Sequence, residues 1–110
     1  MSETPMSRRE AINRRLRETE GPIELTDLVA HLEREAVFLV ATSLDLVEAG
    51  LAIAEDEVDL VGGWLQKGEL RKATKDDHEA WVAASLRFTA IVVQPFVLVR
   101  AITEPGAYDA

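Results

Sequence analysis

A chain of 110 residues with 47% apolar residues is long enough for one domain built on one core. It contains no cysteine, which excludes a disulfide framework, thiol redox chemistry and any thiolate site for zinc or an iron–sulfur cluster. The net charge is −8, yet residues 1–17 hold five arginines (Arg8, Arg9, Arg14, Arg15, Arg17) against Glu3 and Glu10, a local +3 that leaves −11 for the rest. The expected molecule is an acidic body, residues 23–103, carrying a basic helical arm at residues 1–22 and a fraying tail at residues 104–110.

The first helix signal is Ser7-Arg8-Arg9-Glu10, a serine with a glutamate three residues on, which can satisfy each other's orphan backbone donors. A helix over residues 7–18 follows, with a narrow apolar side of Ala11, Ile12 and Leu16, and Gly21-Pro22 ends it. So little apolar area makes it the least stable element expected. Thr26 and Asp27 are candidate caps of a second helix of about ten residues with Leu28, Val29 and Leu32 facing inward.

Ala36 to Ala41 is a short apolar run with β-branched and aromatic members, which predicts a buried strand. Leu44, Val47, Leu51 and Ala54 then recur at helical spacing, although Val47, Ala49, Leu51 and Ile53 also alternate as a strand would. The abundance of Leu, Ala and Glu favours helix, with Ser43 as its cap. Val58, Val61, Trp64 and Leu65 define another buried stripe that stops at Gly68, a residue suited to a left-handed helix end.

Glu69 to Ala73 fits a short strand, and Thr74 with Asp77 a capping box for a helix holding Trp81 and Val82. The stretch from Leu86 to Ile102 would exceed about 50 Å if fully extended, too long for a domain of this size, so it must bend, most naturally at Gln94-Pro95. Phe88 to Val99 is the longest uncharged stretch, short of the roughly 20 residues of a membrane helix, and no apolar leader precedes the domain. A cytoplasmic protein without membrane contacts is expected.

The predicted fold is a single small α+β domain whose order (helix, strand, helix, helix, strand, inserted helix, two C-terminal strands) is winged-helix-like. Its would-be reading segment, however, carries Asp45, Glu48, Glu55, Asp56, Glu57 and Asp59 between Leu44 and Gly63 and neither lysine nor arginine. Such a helix repels phosphate.

SLDLVEAGLAIAEDEVDLVGGWL at residues 43–65 and FTAIVVQPFVLV at residues 88–99 resemble the blocks of a family of small bacterial proteins, domain-of-unknown-function family twenty-two eighty-eight. The resemblance spans residues 24–102 and leaves out the arginine-rich arm. It implies a domain; the family has no assigned activity, so no catalytic residue is carried over.

Assembled chemistry is sparse. His31 lies four residues from both Asp27 and Glu35, and Asp76, Asp77, His78 and Glu79 are adjacent, but a transition metal calls for two or three converging nitrogen or sulfur ligands. Glu55-Asp56-Glu57-Asp59 lacks the glycine turn and oxygen spacing of a calcium loop. Ser43 and Ser85 sit in no nucleophile elbow, and Gly62-Gly63 has no following Lys-Ser/Thr for a phosphate loop. No catalytic residue, metal site or cofactor is expected.

The glycine pair needs its own reason, because two helical glycines cost about 1.5–2 kcal/mol relative to alanine. Either a neighbouring element of this chain packs closely there or the helix simply tolerates the pair, or Asp59, Gly62, Gly63 and Gln66 form a flat outer face approached by a partner's backbone. Three function classes follow. The first is a non-enzymatic interaction or regulatory module docking on an unidentified protein. The second is a nucleic-acid-associated regulator using Arg8, Arg14, Arg15 and Arg17 with Lys67, Arg71, Lys72 and Lys75, against which the net charge argues. The third is a small enzyme or metal-binding protein. The apolar strand at residues 88–99 is compatible with a monomer, buried in its own sheet, or with a homodimer paired edge to edge.

Overall fold

Ser7 and Glu10 start the first element as their spacing predicts: Ser7 Oγ accepts the Glu10 amide at 3.1 Å, and Glu10 Oε1 accepts the Ser7 amide at 3.0 Å. The protein is seen in a computed structural model that describes residues 7–102; the expected fraying tail lies outside them. The capped helix α1 spans Arg8–Thr19 and turns its Leu16 into the core, with Ile12 packed beside it and Ala11 exposed. Strand β1, Gly21–Ile23, follows directly and was not anticipated.

Thr26 and Asp27 do not cap a helix. They lie within a 3-10 turn, Leu25–Leu28, whose N-cap Glu24 makes no side-chain cap bond, and the turn runs into a short helix α2, Val29–Glu33. Tight winding stacks residues three apart, which sends both Leu25 and Leu28 to one core cluster and leaves Val29 exposed rather than inward. Strand β2, Val37–Val40, occupies the apolar run as expected.

The ambiguous segment is a helix, α3, Leu46–Ala54. Its cap is Asp45, whose Oδ2 accepts the Glu48 amide at 2.9 Å, and not Ser43, whose hydroxyl donates to Glu69 Oε2 at 3.1 Å. Six of its nine residues are buried, among them Gly50, where an added Cβ would stand 2.5 Å from Ile91 Cδ1 and 3.0 Å from Val93 Cγ2.

Helix α4, Val58–Lys67, ends on Gly68 at φ +77°, as the sequence implies. Its expected buried stripe is not buried: no residue of α4 is, and Val58 is 73% exposed. The helix packs chiefly on α3 and on strand β3, Leu70–Lys72, and β3 is a three-residue edge strand that gives α4 little sheet to cover. Only Val61 and Trp64 reach the core. Helix α5, Lys75–Ala83, carries the predicted Thr74/Asp77 capping box and buries Trp81 against Phe88, while Val82 stays exposed.

The long apolar stretch bends at Gln94-Pro95, a cis peptide, into strands β4, Phe88–Val93, and β5, Phe96–Ala101. The sheet runs in the order β1-β4-β5-β2-β3, antiparallel except for the parallel pair β2 and β5, in which Phe38 is opposite Leu98. Helices cover both faces: Leu16, Val47 and Leu51 meet Val40, Ile91 and Leu98 on one, and Leu28, Leu32 and Trp81 meet Val37, Val97 and Val99 on the other. A strand covered on both faces reads as an unbroken apolar run, which is why FTAIVV and FVLV show little polar alternation. The α+β class and the expected element order hold, with β1 added; the winged-helix likeness itself is not confirmed by this five-stranded mixed sheet. Among the described residues, no helix is long and apolar enough to cross a membrane.

Candidate functional site

The α3–α4 corner is where the sequence leaves apolar groups uncovered. Helix α3 ends with Asp56 at φ +57° and the Glu57 amide bonded to the Ala52 carbonyl, and α4 begins two residues later at Val58. This sharp reversal holds the two helices apart at their outer flanks. Between them lies an open groove of about 270 Å³, lined by Ala52, Ile53, Val58, Val61, Gly62 and Leu65, with Asp56 and Glu57 at its end.

The wall of the groove is a helix flank, because Val58, Val61, Gly62 and Leu65 recur at the three- and four-residue steps that align on one side. Leu65 is 47% exposed, and Leu60, on the opposite flank, is 44% exposed. An added Cβ at Gly62 or Gly63 would meet nothing within 4 Å. Close packing among the described residues therefore does not account for the pair. Asp59 and Gln66 are exposed beside them, so the four residues named from the sequence do share the outer side of α4.

Charge at the corner is strongly negative and partly answered from within. Arg9 Nη1 donates to Glu57 Oε2 at 2.9 Å, and this bond, aided by the charges of Glu57, Glu55 and Glu48, raises the guanidinium's pKa. Asp56 and Asp59 have no ion-pair partner among the described residues.

The expected phosphate-contacting residues are spread over α1, α4, β3 and α5. Arg8, Arg14, Arg15 and Arg17 are exposed on α1, with Arg17 Nε donating to Asn13 at 2.9 Å. Arg71 grips Asp77 with two bonds, 2.8 and 3.1 Å, and Lys72 reaches Glu35 at 3.2 Å, while Lys67 and Lys75 are exposed. The Arg71 bonds, with Thr74 donating as well, lower the Asp77 carboxyl to about 2.

The histidines serve local structure. His78 Nε2 lies 2.7 Å from the Leu25 carbonyl and ties α5 to the 3-10 turn; His31 Nδ1 faces Arg34 Nη2 at 2.8 Å. Among the described residues no three His, Asp or Glu side chains come together as a metal would require. The groove was missed by sequence reasoning, although one signal was present: Leu60 falls outside the Val58, Val61, Trp64, Leu65 stripe, so the apolar arc of α4 is wider than one contact face can cover.

A solved structure of the same fold is the NMR solution structure of PA1075 from Pseudomonas aeruginosa, 25% identical, with a TM-score of 0.76 and 96% of this chain and 98% of that one covered. No curated protein gives a significant match. The matching family model covers residues 11–101, beginning inside α1 and so taking in most of the helix that the resemblance read from the sequence left out. This chain belongs to that family, "Protein of unknown function (DUF2288)".

Proposed function

We propose that the protein is a cytoplasmic, non-enzymatic interaction module that docks a protein partner on its acidic α3–α4 corner. The uncovered flank of α4 carries this reading. Val58 and Leu65 leave apolar surface in water beside an apolar groove, and surfaces of that kind mark interaction sites. The glycine pair, with nothing within 4 Å of an added Cβ among the described residues, leaves room for a partner's backbone. Capture of tagged protein from native lysate, with nuclease, tests it. The expected result is a stoichiometric protein partner that survives nuclease and is lost with Val58→Asp/Leu65→Asp. Retention of the partner by that variant would move the contact elsewhere.

A nucleic-acid-associated role is the second reading, favoured by Arg8, Arg14 and Arg15, which are exposed with no ion-pair partner among the described residues. Nuclease-sensitive recovery of DNA or RNA, lost on replacing Arg14, Arg15 and Arg17, would put it first.

A further inference from the structure

We infer that the occupant of the α3–α4 groove is a cationic amphipathic helix of a partner protein, an inference that rests on the interaction reading and names the partner's chemistry. Three features select that occupant. The groove wall is apolar at one residue per helical turn (Val58, Gly62 or Val61, Leu65), a 5.4 Å repeat that a second helix reproduces and an extended strand, repeating on one face near 6.8 Å, does not. Gly62 interrupts the ridge of side chains where the incoming helix would cross, and small residues at such a crossing let two helix backbones approach.

Charge supplies the third feature. Asp56 and Glu57 line the end of the groove, Asp59 lines the adjoining surface with them, and the only cation bonded to these carboxylates among the described residues is Arg9 on Glu57. An anionic or neutral helix would leave Asp56 and Asp59 opposite like charge or none, whereas lysines or arginines flanking an apolar stripe answer both. The α4 helix is ten residues long, so the match extends over about 15 Å, roughly three turns.

The test is amide NMR of the full chain titrated with three synthetic peptides of about 14 residues. One has leucines at helical spacing and lysines elsewhere, the second the same composition in scrambled order, the third glutamate for lysine. The first should shift the amides of Gly62, Gly63 and Leu65 and bind at least tenfold more tightly than either control; Asp56→Asn/Asp59→Asn should weaken it about fivefold to tenfold, and added salt should weaken it further.

Equal binding of the scrambled peptide, or shifts centred on Val82 and Leu86 on the other side of the sheet, overturns the inference. So does a concentration-dependent shift of the α4 amides with a doubled mass in light scattering, which assigns the groove to a second copy. If no peptide binds while the lysate partner is still lost with Val58→Asp/Leu65→Asp, this inference falls and the interaction reading stands; if that variant also keeps its partner, both fall.

Discussion

Single side chains in this protein act through local chemistry that can be tested one at a time. Asp77 accepts from Arg71 and from the backbone and hydroxyl of Thr74, and its carboxyl is lowered to about 2. A carboxylate favoured in the folded state adds stability above its unfolded pKa, near 3.9, and that contribution fades as pH falls from about 4 toward 2. Asp77→Asn should therefore lose about 1–2 kcal/mol at pH 7, after discounting for the exposed Arg71, and almost nothing relative to wild type near pH 2. Urea unfolding at the two pH values checks this. Glycines give a contrasting pair: Gly50→Ala should destabilise by about 1–2 kcal/mol, because a Cβ meets the packed methyls of Ile91, Val93 and Leu16. Gly62→Ala/Gly63→Ala, facing open space, should stabilise by about 1.5–2 kcal/mol. Thermal melts of the two variants should move in opposite directions.

At the scale of elements, legibility followed how local the determining interaction is. The capping boxes at Ser7/Glu10 and Thr74/Asp77, the stop at Gly68 and the bend at Gln94-Pro95 were readable because each is set by residues within a few positions. Ser43 was misread as a cap because its partner, Glu69, is 26 residues away. β1 was missed because Gly-Pro-Ile has no strand signal of its own and is held by pairing with Phe88, Thr89 and Ala90. The burial of Val58 and Leu65 was misjudged since periodicity reports that a helix has an apolar side, not that a layer exists to cover it. Those facts predict an order of local opening. In native-state hydrogen exchange, α3, with six buried residues, should be the best protected helix, while α1 and α4, with one and none, should exchange earlier. Equal protection of α3 and α4 would mean that α4 is held by more than its contacts with α3 and β3.

The whole molecule is a mixed sheet sandwiched by helices, with charge and apolar exposure distributed unevenly over it. Among the described residues no polar or charged side chain is buried. The α3–α4 corner combines uncovered apolar side chains, two carboxylates (Asp56 and Asp59) with no ion-pair partner among the described residues, and two glycines with open space above them. The candidate site was half legible: Asp59, Gly62, Gly63 and Gln66 were named from the glycine anomaly, but the groove beside them depends on how α4 sits on the margin of the sheet, which no short stretch of sequence encodes. The measurement that bears most directly on the account is calorimetric binding of the captured partner to wild-type and Gly62→Leu protein, with melting of both recorded. Binding should weaken at least tenfold while the melting midpoint does not fall, since the leucine side chain enters the open groove and its Cβ has nothing within 4 Å among the described residues. Unchanged affinity in a stably folded Gly62→Leu protein would contradict it.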